Sequence, residues 1–366
     1  MSSWLDGDLR MAEESGPLSQ LAGRIMSAFQ DVLFSIENNH GRIVLNRPKA
    51  MNALTLDMID AIAAQLAAWE MRVDIKAIII TGAGDKAFCA GGDVKAVHAA
   101  KQRGDLGMLE DFYRREYTLN HRLANYGKPI IAVMDGIVMG GGAGIAFNCS
   151  HPVATHKTVF AMPECRIGLF PDVGAGHFLN RCSLPLALAL GLTGLTLRGP
   201  GVIRAGLAKH FVGSGRVAEI GIDTLEALQL PIETAGLDQM LPNIERVFGL
   251  KTLDEIMTVL GARKDAWAVE TAKALRGFSP TSLKVAFAHI TRARGQTLAD
   301  VLKTEFRLVQ HFMAGHDFFE GVRALLIDKD SAPKWRPADS AAVTPAMVEG
   351  YFAPVPGVKD WSTGAH

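Results

Sequence analysis

The chain has 366 residues, enough for one large domain with an appendage or for two domains. Its 38 Lys and Arg are offset by 38 Asp and Glu, so no basic excess exists to displace counterions from nucleic acid, and that class of partner is set aside. No apolar run approaches the ~20 residues that a bilayer span needs, and four widely spaced cysteines without a C-x-x-C pair argue against a disulfide framework or zinc site and for reduced, buried thiols.

Residues 1 to about 31 read as an N-terminal extension. Leu18, Leu21, Ile25 and Phe29 recur at helical spacing and predict an amphipathic helix docked on the body; with Arg24 as its one basic residue it does not resemble a membrane-surface helix. Asp6, Asp8, Glu13 and Glu14 oppose a signal or transit peptide, which places the chain in the cytoplasm. Val32 to Ile36 and Ile43 to Leu45 form a hairpin across Asn38-Asn39-His40-Gly41. A helix follows over Thr55 to Trp69, with Thr55 as cap and Asp57 in the first turn. Apolar strands at Ala77 to Ile80, Ile130 to Met134 and Val159 to Met162 alternate with helical stretches, the signature of an α/β core with parallel pairing. From about Ser183 the pattern is almost wholly helical, most clearly over Asp254 to Leu260 and Leu298 to Phe312. The division is therefore 1–31 extension, 32–182 core and 183–366 helical region. Two histidine pairs, His151/His156 and His311/His316, are five apart, a poor same-face spacing for metal ligands.

Two glycine clusters follow strands: Phe88-Cys89-Ala90-Gly91-Gly92-Asp93, and Met139-Gly140-Gly141-Gly142-Ala143-Gly144 leading into a helix. Neither fits the G-x-G-x-x-G dinucleotide fingerprint or the Gly-Lys-Ser/Thr of a P-loop. Two readings stay open. The glycines permit close packing, or their unpaired amides converge as an oxyanion hole.

The segment Phe160 to Gly176 sets Glu164 and Asp172 eight positions apart among prolines, glycines and apolar residues, which excludes a long regular helix. A carboxylate in apolar surroundings becomes a better base near neutral pH. Against that, Glu164 could simply pair with Arg166, and Asp172 could cap a helix beginning near Val173. There is no G-x-S-x-G serine elbow.

These stretches carry a likeness. Leu45 to Leu54, Phe88 to Asp93, Gly136 to Gly144, Phe160 to Gly174, Ser279 to Lys284, Asp317 to Asp330 and Pro333-Lys334-Trp335 resemble the enoyl-CoA hydratase/isomerase (crotonase) superfamily, and within it the branch that hydrolyses short β-hydroxyacyl-CoA thioesters. The resemblance implies an α/β spiral of ββα turns with a helical C-terminal region, often assembled as homo-oligomers such as trimers. It implies an acyl-CoA substrate, 3-hydroxyisobutyryl-CoA above all, and no cofactor beyond the CoA of the substrate. The implied roles are an oxyanion hole at Gly92 and Gly141, an acid lining the acyl pocket at Glu116, and the hydrolase acid pair at Glu164 and Asp172. Lys49, Ala50, Ala53 and Lys86 are its CoA-binding candidates; surface lysines beside small packing residues are the plain alternative. Hydratases of the superfamily use two glutamates, and one of those positions is Gly144 here, while Asp172 stands where they have glycine. That exchange favours hydrolysis over the alternative, an enoyl-CoA hydratase or isomerase. The close hydrolases usually carry glycine at Ala175 and a bulkier aromatic at His177.

Overall fold

The computed structural model describes residues 30–232 and 235–363; the helix expected over Leu18 to Phe29 lies outside them. Strands β1 (Val32–Glu37) and β2 (His40–Leu45) form the expected antiparallel hairpin. Its two turn residues, Asn38 and Asn39, both hold positive φ (51° and 62°), a conformation that asparagine tolerates and that matches strand twist. Helix α1 (Leu56–Glu70) starts on Thr55, whose hydroxyl accepts the Met58 amide at 3.2 Å.

After that the chain repeats one unit. Strands β3 (Ala77–Gly82), β5 (Ile130–Met134) and β7 (His151–Ala154) enter one sheet. Each is followed at once by a short strand of a second sheet: β4 (Ala87–Cys89), β6 (Ile137–Met139) and β8 (Val159–Ala161). Helices then return the chain: α2 (Val94–Gln102) and α3 (Leu106–Ala124) after β4, α4 (Gly141–Asn148) after β6, and the short α5 (Ala175–Phe178) after β8. This is a spiral of ββα turns. All five side chains of β5 are buried, because apolar layers cover both faces of the sheet.

The remaining helices are α6 (Leu184–Thr193), α7 (Pro200–Arg204), α8 (Ala235–Phe248), α9 (Leu253–Ala262), α10 (Ala266–Gly277), α11 (Pro280–Arg292), α12 (Leu298–Ala314), α13 (Asp317–Val322) and α14 (Pro345–Phe352). The segment after Ser183 is not purely helical. Strand β9 (Leu197–Arg198) pairs antiparallel with β8, and β10 (His210–Phe211) pairs parallel with β7. The resulting orders are β1-β2-β3-β5-β7-β10 and β4-β6-β8-β9. Two-residue strands are too short to leave an alternating pattern, so periodicity could not find them.

Helix α12 packs on α3. Phe306 receives the Arg114 guanidinium 4.4 Å above its ring. The buried Trp361 indole donates to Thr118 on α3, and Arg307 on α12 pairs with Asp360. The end of the described chain thus ties α3 and α12 together. All four cysteines are buried and unpaired.

The tightest backbone approach joins the two glycine clusters: a Cβ on Gly142 would lie 2.2 Å from the Cys89 carbonyl oxygen. Gly142→Ala should therefore destabilise the protein by about 2 kcal/mol or more in urea unfolding, since α4 must shift away from Cys89.

Candidate active site

The segment before α1 is stitched to the first glycine cluster. Leu54 N–H donates to Gly91 O and Asp93 N–H donates to Leu54 O, both at 2.8 Å, while Ala90 N–H donates to Met51 O at 3.0 Å. The second cluster lies directly against the first, so the Gly92 nitrogen is 3.2 Å from where a Cβ on Gly141 would stand. Gly141 opens α4 and has no carbonyl one turn back to receive its amide. Among the described residues, neither the Gly92 nor the Gly141 amide donates to a protein acceptor. The glycines pack closely and leave both amides without a protein acceptor.

Three acids meet this spot. Glu116 reaches it from α3: its Oε1 would be 2.4 Å from a Cβ on Gly141, and it accepts no hydrogen bond. Glu164 opens the 3₁₀ turn Glu164–Ile167; its Oε1 would be 3.1 Å from a Cβ on Gly140, and its Oε2 is buried without a partner. Asp172 accepts the Tyr117 hydroxyl on Oδ2 at 2.7 Å. The three are 3–5% exposed. The plain structural alternatives fail: Arg166 is exposed and makes no ion pair with Glu164, and the helix after Asp172 starts at Ala175 with Gly174, not Asp172, as its cap.

Burial governs the charges. It raises Glu116 and Glu164 well above the ordinary carboxylate range, and the nearby Asp172 adds to both shifts. Asp172 is pushed up to about 7 by burial first and by the Glu305 charge second, against the pull of the Tyr117 hydrogen bond. Burial and Asp172 also raise the Tyr113 and Tyr117 phenols, which therefore remain protonated donors.

Gly144 has a direct structural cause. A Cβ there would lie 2.6 Å from Val173 Cβ and 3.1 Å from Asn120 Oδ1, so the Val173 side chain fills the space that an acid at 144 would need. Val173 itself has φ +57°, uncommon for a β-branched residue. Its carbonyl accepts Asn148 Nδ2 at 3.0 Å.

The Asp317 to Asp330 stretch supports the site from behind. Cβ atoms on Gly168 and Gly321 would each lie 2.3 Å from a backbone oxygen, of Asp317 and Ile167 respectively, so α13 is seated against the Glu164 turn. The four CoA-binding candidates lie on two neighbouring turns. Lys49 and Ala50 lie in the one-turn helix Pro48–Ala50, and buried Asn52 donates to Ala83 O and Ala87 O, holding that turn and Ala53 beside the loop of Lys86. Lys49 and Lys86 are exposed. Among the described residues no His, Cys, Asp or Glu side chains are grouped so that three could hold one metal ion, and no helix is long and apolar enough to cross a membrane.

Sequence reasoning missed Tyr117, Asn120, His289 and Glu305. A signal existed on α3: Tyr113, Glu116, Tyr117 and Asn120 recur at the spacing of one helix face, and that face points inward. Both amide atoms of Asn120 are buried without partners.

Residues 40–352 match the family model described as enoyl-CoA hydratase/isomerase. A curated relative, the mitochondrial 3-hydroxyisobutyryl-CoA hydrolase of Danio rerio, is 43% identical over 357 residues, covering 92% of this chain and 93% of that protein. Among solved structures, a carnitinyl-CoA dehydratase from Mycobacterium thermoresistibile has a TM-score of 0.87 at 37% identity, covering 92% of this chain and 100% of its own. An enoyl-CoA hydratase from Rhodobacter sphaeroides has a TM-score of 0.83 at 38% identity, covering 89% and 98%. One expectation is overturned: curated relatives from several vertebrates are named mitochondrial, which points away from the cytoplasm. Acids near the N-terminus were a poor guide to compartment.

The raised carboxyl pKa values make stability depend on pH. Asp172, raised from an unfolded value near 4, adds no penalty below that value and costs stability as pH rises through about 7. The wild-type protein should lose stability between pH 5 and pH 8. Asp172→Asn should remove part of that loss, on the order of 2 kcal/mol, in urea titrations at the two pH values.

Proposed function

The chain belongs to the enoyl-CoA hydratase/isomerase family, and on that premise we propose that it hydrolyses a short β-hydroxyacyl-CoA thioester, 3-hydroxyisobutyryl-CoA, to 3-hydroxyisobutyrate and free CoA. The observation that carries this reading is the burial of Glu164, its Oε1 beside the second glycine cluster, and of Asp172, close enough for its charge to act on Glu164, with Val173 occupying the space of a Gly144 acid. The relatives named as hydrolases of this substrate support it.

The thioester oxygen sits against the amides of Gly92 and Gly141, which stabilise the negative charge that develops when the carbonyl carbon is attacked. Loss of one such donor typically costs ~3–4 kcal/mol in activation free energy. Glu164 in its ionised form takes a proton from water as the new C–O bond forms. The C–S bond then breaks, and the same proton returns to the departing thiolate, so the reaction balances with no cofactor besides the CoA of the substrate. A second route has Glu164 attack the carbonyl to give an anhydride that water opens. Single turnover in ¹⁸O-water separates them, since label in Glu164 marks the anhydride.

Asp172 and Glu116 hold the β-hydroxyl of the acyl group. With its pKa near neutrality Asp172 can accept from or donate to that hydroxyl. Lys49 and Lys86 meet the phosphates of CoA, and Ala50 and Ala53 lie against its adenine. Assembly into trimers, as in the superfamily, is tested by light scattering.

The two solved structures are those of a dehydratase and a hydratase. Water addition to an enoyl-CoA calls for a second acid at position 144, which this packing leaves no room for. Purified protein should release CoA from 3-hydroxyisobutyryl-CoA, read by a thiol reagent, and should not hydrate crotonyl-CoA. Glu164→Gln should lower kcat by at least ~100-fold while the fold is retained; hydrolysis at the parent rate would remove Glu164 from the mechanism.

A further inference from the structure

Glu305 takes no part in the chemistry just described, yet it is fully buried on α12 with both carboxylate oxygens engaged. Its Oε2 accepts the Gly174 amide at 2.7 Å. Its Oε1 accepts the Gly176 amide at 3.1 Å and faces His289 Nε2 at 2.9 Å, which donates in the tautomer that carries its proton there. A carboxylate placed so deep in the core is costly unless its oxygens are paired in this way.

The two amides it holds belong to the loop that carries Asp172. That loop runs through two consecutive residues at positive φ, Val173 (57°) and Gly174 (87°), and the Val173 carbonyl accepts from Asn148 Nδ2. A β-branched residue does not stay at positive φ without such restraint. Asp172 is thus gripped from two directions: Tyr117 on α3 holds its Oδ2, and Glu305 on α12 holds the two amides that follow it.

We infer that Glu305 is the positioning residue of Asp172, its carboxylate fixing the 173–176 loop through Gly174 and Gly176 while its charge stands behind the Asp172 carboxyl. The inference rests on the assignment of Asp172 to the reaction. The groups facing Asp172 are Tyr113, Glu116 and Tyr117 from α3, Glu164 from its turn, and Glu305 from α12. Those facing Glu305 are His289 from α11, His177 from α5 and Tyr117. Of these neighbours, Glu305 is the one whose charge raises Asp172 most after burial itself.

Two variants divide position from charge. Glu305→Gln keeps the side-chain length and removes the charge; Glu305→Asp keeps the charge and withdraws it by one methylene. The Asp172 carboxyl is titrated by ¹³C NMR, its signal assigned by its absence in Asp172→Asn. Glu305→Gln should lower its midpoint by about half a pH unit or more, because a like charge has gone. Glu305→Asp should leave the midpoint near that of wild type. Both should lower kcat for 3-hydroxyisobutyryl-CoA, by ~10- to 100-fold, through a misplaced Asp172, with KM changed far less. If Glu305→Gln does not fold, Glu305→Asp still decides: wild-type kcat in a folded Glu305→Asp protein overturns the inference. An unshifted Asp172 midpoint in folded Glu305→Gln overturns it as well. If the wild-type protein does not hydrolyse the substrate, the functional reading fails while the titration still reports on the Glu305–Asp172 link.

Discussion

Glu116, Glu164 and Asp172 are buried in one small space, and three carboxylates cannot share such a space fully ionised. Burial raises all three, the Asp172 charge adds to the rise of Glu116 and Glu164, and the Glu305 charge adds to that of Asp172, so near neutral pH protons are retained within the group. Everything around them serves that constraint. Helix α3 supplies one acid and a phenol that stays protonated, and α12 holds the loop of another acid. The second glycine cluster puts no side chain into the space beside Glu116 and Glu164. Free amides and retained protons are what a developing oxyanion and a leaving thiolate require.

Much of this could be read from residues. The hairpin at Asn38-Asn39, the cap at Thr55 and the apolar strand at 130–134 follow from local chemistry, and the structure has all three. Glu164 stands out because a charge amid prolines and apolar residues is unusual; Asp172 is ambiguous by itself and gains meaning beside Gly144. Strands β9 and β10 left no trace because two residues cannot alternate visibly. Glu305 occupies an inward position of an amphipathic helix, in register with Val301, Leu302, Phe306 and Val309, and a charge in that register is a legible anomaly. What no pattern could supply was its partner, since the loop it holds lies far away in sequence.

The related proteins include hydrolases as well as a hydratase and a dehydratase, and a packing contact bears on the difference. Val173, immediately after Asp172, inserts where a side chain at 144 would project. A side chain at 144 and the loop that presents Asp172 are therefore linked sterically: the backbone that carries Asp172 also drives its neighbour Val173 against Gly144. A simple exchange of residues at 144 would meet that wall.

The hydrogen bond from Gly174 to Glu305 spans 131 residues and that from Trp361 to Thr118 spans 243. Contacts of such separation close large loops, whose entropic cost falls due before any packing repays it. The strands of the spiral pair with near neighbours and can organise first. The acid pocket lies where the early and the late halves of the chain meet. Loop-closure entropy therefore predicts that the site for the chemistry is completed late in folding.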